Sequence, residues 1–158
     1  MKKLSMIFCL IAMVFIFTGC QKKKNTSFLA GTTWKDKQEI TFTEDRITWY
    51  RYPDQYDDNY YSGTYKFYRG DEAVKFASDN YGEFGITSSK IDSMFSEKNK
   101  KEDFVVLDIY FDKYIRSGKE GTITTPHAPW FGFLINDGKT FDIVDIVYAD
   151  YYQFTKVD

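Results

Sequence analysis

Short segments with alternating apolar and polar residues recur along this chain, and they constrain its fold more than any other feature. The clearest is the segment from Phe104 to Phe111, in which Val105, Leu107, Ile109 and Phe111 fall on one face. Successive side chains of a β-strand point to opposite faces, so this pattern predicts a half-buried strand. Repeated segments of this kind indicate a chain built mainly from β-strands.

Turn residues join two pairs of these segments. Segments 39–43 and 46–49 flank Glu44-Asp45, and segments 130–135 and 140–144 flank residues 136–139, which contain Asp137-Gly138. An Asp-Gly pair between strands is a strong hairpin signal, because both positions then take positive φ. We therefore expect two antiparallel hairpins, and residues 151–157 read as a last strand.

The spacing of apolar residues changes to a helical period between residues 71 and 97. The residues at this spacing are Val74, Ala77, Tyr81, Ile91, Met94 and Phe95. They predict two helices, the first capped by Asp71 and the second covering 88–97 with Thr87 or Ser88 as its cap. The order of strands, helix pair and strands predicts an α+β fold that is mainly β. Its antiparallel sheet can close into a barrel with the short helix pair inserted.

The first twenty residues follow a different pattern. Lys2 and Lys3 precede the apolar segment from Leu4 to Phe17, whose 14 residues match a secretory signal and fall short of a membrane-spanning helix. Phe17-Thr18-Gly19-Cys20 follows, and it resembles the lipobox of bacterial lipoprotein precursors, with Phe17 where the box usually has Leu. An ordinary signal peptide would carry an Ala-x-Ala-like cleavage site, and this segment has none.

The lipobox resemblance implies a domain organisation and a location. Residues 1–19 would be a signal peptide, and Cys20 would carry a diacylglyceryl group. Residues 20–28 would form a lipid-anchored basic tether, and residues 29–158 a single β-rich globular domain. The two acyl chains on Cys20 would hold the protein at the bacterial cell membrane, facing the extracytoplasmic side.

Two further resemblances concern the globular domain. The stretch containing Gly31 and Trp34 resembles the opening of lipocalin-like barrels, in which such a Trp plugs the barrel floor, although the usual spacing is Gly-x-Trp. The pattern as a whole is also similar to that of small uncharacterised lipoproteins of Gram-positive bacteria. The lipocalin likeness implies a barrel, and the second likeness implies no activity.

Charge and cysteine content exclude some classes of protein. The chain has 21 basic and 23 acidic residues, a net charge of −2. Loss of residues 1–19, with Lys2 and Lys3, would leave 139 residues and a net charge of −4. Phosphate binding needs a basic face, so a nucleic-acid partner is not expected. Cys9 lies in the apolar segment and Cys20 would be lipidated, which leaves no disulfide.

No motif in the chain names a reaction, and we predict no cofactor, no metal and no catalytic residue. His127 is the single histidine and lies between Pro126 and Pro129, which predicts an exposed loop residue without partners for a triad or a zinc site. The oxygens of Asp54, Asp57, Asp58 and Asn59 do not follow the spacing of a calcium loop. Among 23 acidic residues some carboxylate pair is always available, so this count favours no hydrolase.

A surplus of aromatic residues surrounds the break at Pro53. The rings in this stretch are Trp49, Tyr50, Tyr52, Tyr56, Tyr60 and Tyr61. Because Pro53 and the acids around it favour a loop, we expect exposed rings suited to ligand binding. The nearby acids would favour neutral or cationic partners.

Three functional hypotheses remain open from the sequence. The first is a non-enzymatic binding or interaction module for an envelope protein, a peptide or a carbohydrate. The second is a lipocalin-like carrier of a small apolar ligand. The third is an envelope-polymer hydrolase that uses acidic residues. A hollow barrel would favour the carrier, a deep acidic cleft the hydrolase, and a filled core with exposed tyrosines the binding module.

Overall fold

A computed structural model of the protein describes residues 28–51 and 58–157. The strands within these residues are β1 (Thr33–Lys35), β2 (Glu39–Phe42), β3 (Arg46–Tyr50), β4 (Asn59–Arg69), β5 (Phe104–Arg116), β6 (Lys119–Glu120), β7 (His127–Ile135), β8 (Thr140–Asp145) and β9 (Tyr151–Val157). The helices are α1 (Asp71–Asn80) and α2 (Ser88–Asp92), with single 3₁₀ turns at Gly82–Phe84 and Lys101–Asp103.

Eight of these strands close into an antiparallel barrel. Each pairs with its neighbours in the order β1-β2-β3-β4-β5-β7-β8-β9, and β9 returns to β1 through the pairs Thr33–Val157 and Lys35–Thr155. β6 lies outside the ring, against the end of β5. The predicted mainly β fold with a closed antiparallel sheet and a short helix pair is therefore confirmed.

Both predicted hairpins are present. β2 and β3 pair antiparallel around Glu44-Asp45, and β7 and β8 pair around residues 136–139. Asp137 has φ 56° and Gly138 has φ 78°, the positive values that this turn requires. The local chemistry of the turn therefore sets the register in which β7 meets β8.

Apolar side chains fill the interior of the barrel. Trp34 has no exposed surface, and its ring lies 4.2 Å from that of Phe141 between centroids. The other buried members of this interior cluster are Leu29, Ile40, Phe42, Ile47, Trp49, Tyr65, Val105, Leu107, Ile109, Phe111, Ala128, Trp130, Leu134, Ile143, Tyr152 and Phe154. The face predicted for β5 from its alternation points into this cluster.

The helical insert covers the outer face of β5 and β7. Ala73, Ala77, Tyr81 and Ile91 pack there against Phe104 and other buried residues of a second cluster, separate from the interior one. Thr87 caps α2 as predicted, since its Oγ1 accepts the Lys90 amide at 3.3 Å. The insert thus adds a second core on the outside of the barrel.

Two details of the insert differ from the sequence prediction. The second helix ends at Asp92 and not at residue 97, while Met94 and Phe95 still pack against the outer cluster from a turn. Asp71 does not cap α1, because Gly70 occupies the N-cap position and Asp71 is already helical. The Asp71 carboxylate forms an ion pair with Lys101 instead.

The two ends of the barrel are formed by different strand termini and turns. Phe28 and the Asn136–Lys139 turn lie together at one end, where an added Cβ on Gly138 would sit 3.8 Å from the Phe28 ring. The opposite end, called the mouth here, is formed by the ends of β3, β5 and β8 and the beginnings of β4, β7 and β9. None of the described helices is long and apolar enough to cross a membrane.

Candidate functional site: the barrel mouth

Inward-facing residues at the ends of three adjacent strands converge at the mouth. Trp49 is paired with Tyr61, Tyr61 with Tyr114, and Asn59 with Arg116 across β3, β4 and β5. Side chains alternate along a strand, so Arg51, two residues after Trp49, falls on the same inward side. The inward surface therefore changes from apolar in the interior to cationic at the rim.

Stacked rings form the floor of this surface. The Tyr61 and Tyr114 rings lie 4.3 Å apart at an angle of 14°, and the Trp49 ring lies 5.6 Å from that of Tyr61. Burial and the neighbouring Tyr114 raise the pKa of Tyr61 above its usual value. The Trp49 ring in turn packs edge-on against the Trp130 ring, with 5.2 Å between their centroids. The floor is therefore in direct contact with the filled interior.

The space left inside the mouth is small. The inner pocket has a volume of about 110 Å³. Its lining residues are Trp49, Arg51, Tyr61, Phe111, Thr125, Ala128, Asp145, Tyr148, Asp150 and Tyr152. Pockets for small molecules usually measure about 300–1,000 Å³, so this one admits a side group and not a whole ligand.

Two arginines border a wider and more open recess beside that pocket. The recess has a volume of about 540 Å³, and its lining comprises Arg51, Asn59, Tyr60, Tyr61, Tyr114, Arg116 and Ser117. The Arg51 guanidinium carbon lies 5.0 Å from the centre of the Trp49 ring, a cation–π geometry. The positive charge of Arg51 acts against the rise in the pKa of Tyr61, because it favours the ionised phenol.

Acidic residues occupy the other side of the mouth. Asp145 is 1% exposed, and its Oδ2 accepts the Trp130 indole N–H at 3.0 Å. Its Oδ1 accepts the backbone amides of Val147 and Tyr148 at 2.9 and 3.1 Å, so this oxygen holds the turn that leads into β9. Asp150 accepts the Tyr152 hydroxyl at 3.3 Å. Both carboxylates are therefore occupied by hydrogen bonds to neighbouring groups of the mouth.

The predicted site residues fall into three groups. Trp49 and Tyr61 point inward and form part of the floor, whereas Tyr50 and Tyr60 lie on the other strand face with their rings 5.9 Å apart. Tyr52, Tyr56 and Cys20 lie outside the described residues. Trp49 lies in a strand, as segment 46–49 predicted, but the expectation that positions 50, 60 and 61 belong to a loop is wrong, because β3 extends to Tyr50 and β4 begins at Asn59.

Sequence reasoning missed Arg51, Tyr114 and Arg116. Arg51 and Arg116 are 65 positions apart, and only the pairing of β4 with β5 brings them to one recess. Ser117 and Gly118, with φ 50° and 69°, form the turn between β5 and β6 and hold Arg116 at the rim.

His127 is not the exposed loop residue that its flanking prolines suggested. It begins β7, stacks on Tyr110 at 4.3 Å, and its Nε2 lies 2.7 Å from Oδ1 of the buried Asp108. The same oxygen accepts the Tyr81 hydroxyl at 2.9 Å. The cluster of Asp108, His127 and Tyr81 therefore joins the helical insert to the outer face of the barrel.

Within 28–51 and 58–157, no group of three or more His, Cys, Asp and Glu side chains is arranged to hold a metal ion. Of the four oxygen donors considered from the sequence, Asp54 and Asp57 lie outside this part of the chain, and Asn59 accepts the Ser117 amide through its side chain at 3.1 Å.

The chain was also compared with known proteins. No family model, no curated protein and no solved structure matches it. The barrel mouth is therefore identified as the candidate site from its geometry alone.

Proposed function

We propose that this protein is an extracytoplasmic binding module, held at the bacterial cell membrane by a lipid on Cys20, that takes its ligand at the barrel mouth. The observation that carries the proposal is the surface formed by Trp49, Tyr61 and Tyr114 beneath Arg51 and Arg116. Tyr and Trp rings present an apolar face together with a polar group, and they lose little side-chain entropy on binding. An envelope protein, a peptide or a carbohydrate suits such a surface.

The filled interior favours binding at the mouth over carriage inside the barrel. A carrier of a small apolar ligand needs an empty cavity of several hundred cubic ångströms. Here Trp34, Phe141 and Trp130 are fully buried in the interior cluster, and the inner pocket measures about 110 Å³. The carrier alternative therefore has little support from the described residues.

The position of Phe28, where the described residues begin, also favours this proposal. Phe28 packs beside the Asn136–Lys139 turn, at the end of the barrel opposite the mouth. A lipid joined upstream at Cys20 would attach the membrane to that end. The mouth would then face away from the lipid surface and toward soluble or wall-bound ligands.

Site-specific photo-crosslinking on intact cells tests the mouth. Benzoylphenylalanine would replace Tyr148, which lies at the mouth and is 58% exposed, or Phe84, which lies on the helical insert and is 43% exposed. We expect a discrete adduct from position 148 and none from the matched position 84. Equal adducts from both positions, or none from either, would contradict binding at the mouth.

Metabolic labelling with a palmitate analogue tests the anchor separately. Cys20→Ala should abolish labelling, because that thiol is the proposed acceptor of the lipid. Cys9→Ala is the matched control, since this cysteine lies inside the apolar segment and should leave labelling unchanged. Equal labelling of Cys20→Ala and wild type would remove the lipoprotein proposal.

A further inference from the structure

We propose that Arg51 and Arg116 form a subsite for an anionic group, a carboxylate or a phosphate, on the ligand that the mouth binds. This inference rests on the proposed binding function, and it specifies which chemical group of the ligand the mouth recognises. It reverses the sequence-based expectation of neutral or cationic partners, because the residues that reach the recess are arginines.

The pairing of the four arginines in the chain is the first argument. Arg46 forms a two-pronged ion pair with Asp112, at 2.9 and 2.6 Å, and Arg69 pairs with Asp103 at 2.7 Å. Arg51 and Arg116 form no ion pair with any residue in 28–51 or 58–157, and these two converge on one recess. In a chain of net charge −2, two guanidinium groups at one recess without an ion pair to any described residue are a local exception.

The orientation of Arg51 is the second argument. Its guanidinium lies over the Trp49 ring, with its carbon 5.0 Å from the ring centre, so an aromatic side chain at the mouth positions it. A guanidinium stacked on a ring keeps its N–H groups in its own plane, where the oxygens of a ligand can reach them. The planar fork of these donors matches carboxylate and phosphate oxygens in pairs.

The surroundings of Arg116 are the third argument. Its strand neighbour Asn59 and the following Ser117 line the same recess, and the Tyr61–Tyr114 stack forms its floor. The Ser117 amide is already bonded to the Asn59 side chain, which fixes the turn that carries Arg116. Asp145 and Asp150 line the inner pocket and not this recess, whereas the Asp58 carboxylate lies beside Gly118 in the turn after Arg116. The recess therefore offers cationic donors above an aromatic floor.

An amide-resolved NMR titration of the full chain in detergent micelles, with saccharide probes, tests the subsite. Glucuronate and glucose 6-phosphate supply the two anionic groups, and glucose is the matched uncharged probe. We expect saturable shifts at residues 59–61 and 114–117 with the anionic probes, and at least ten-fold weaker binding of glucose. The stronger of the two anionic probes identifies carboxylate or phosphate as the preferred group.

Glutamine variants complete the test. Arg51→Gln and Arg116→Gln should each weaken binding of the anionic probe at least ten-fold, since each removes one charged donor. Arg69→Gln, which lies away from the mouth, should bind as wild type does. Glucose binding as tightly as the anions, wild-type affinity in both mouth variants, or no saturable shift with any probe would each overturn the subsite.

The two proposals fail separately. A crosslinked partner at position 148 together with no anion-dependent shift would leave the binding module standing and remove the anionic subsite. Saturable, arginine-dependent anion binding with no crosslinked partner would leave the anionic subsite standing and remove an envelope protein, peptide or carbohydrate as the ligand of the mouth.

Discussion

The backbones of β4 and β5 approach each other so closely at Gly63 that a side chain cannot fit between them. A Cβ at this position would lie 2.0 Å from the Tyr110 carbonyl oxygen. The register between the two strands shifts at Ser62 and Gly63, so one extra residue of β5 is accommodated here. Such a bulge bends the strand and increases its twist, which helps a sheet close into a barrel.

We expect Gly63→Ala to destabilise the domain by about 1–3 kcal/mol, the usual cost of forcing extra volume into a packed site. Gly82→Ala is the matched control, because a Cβ on Gly82 meets nothing within 4 Å. Urea denaturation monitored by tryptophan fluorescence measures both. A Gly63→Ala midpoint equal to that of Gly82→Ala would show that the strands can separate at the bulge without cost.

Single residues also show where sequence reasoning reaches its limit. The outward position of Asp108 followed from alternation along β5, but its partners did not. Tyr81 and His127 lie 27 and 19 positions away, and both reach it only because the insert folds over the outer face of the barrel. The contacts of a polar residue depend on non-local packing, which one sequence does not display.

At the scale of elements, the helical insert is a separate layer outside a closed barrel. Its buried residues belong to the outer cluster, and α2 contributes only Ile91, with no exposed surface, to that layer. Regions with few buried contacts open more readily than the rest of a protein. The insert is therefore the part expected to unfold first.

Ile91→Ala should detach the insert while the barrel stays folded. The loss of a buried isoleucine costs about 2–5 kcal/mol, and we expect it to appear as faster amide hydrogen exchange in residues 71–92. Exchange in β1, β2 and β9 should not change. Lys90→Ala, an exposed neighbour on the same helix, is the control. Uniformly faster exchange throughout the domain would show that the insert and the barrel unfold as one unit.

Elements governed by local chemistry could be predicted, and those governed by tertiary contacts could not. The turn at Asp137-Gly138 and the Thr87 cap followed from residue type and spacing. The extension of β3 through Tyr50 and the start of β4 at Asn59 were missed, because Pro53 and its acidic neighbours dominated the local signal. Pairing with β5 stabilises the beginning of β4, and that pairing is not visible in the stretch itself.

At the scale of the whole molecule, buried tyrosines link stability to alkaline pH. Burial and the neighbouring Asp108 raise the pKa of Tyr81 well above its usual value, and burial with Asp150 and Asp145 does the same for Tyr152. An unfolded tyrosine titrates near pH 10. Above that pH the unfolded chain binds fewer protons than the native one, so the free energy of unfolding falls as pH rises.

We therefore expect stability to be unaffected by these groups below about pH 10 and to decline steadily above it. Tyr81→Phe and Tyr152→Phe should each make that decline shallower, whatever their cost at neutral pH. Tyr148→Phe, at a 58% exposed position, should leave the slope unchanged. Urea unfolding at pH 8, 9, 10 and 11 measures the slopes, and parallel slopes for all variants would rule out this linkage.

The short strand that closes the barrel has a mechanical consequence. β1 has three residues and is hydrogen bonded on both sides, to β2 and to β9, close to the point where the chain enters the domain. An anchor upstream of residue 28 and a ligand held at the mouth would pull the barrel from opposite ends, along its strands. The bonds on both sides of β1 would then bear tension together, as in shear, and would not open one at a time. The domain would transmit a load between membrane and ligand while remaining folded.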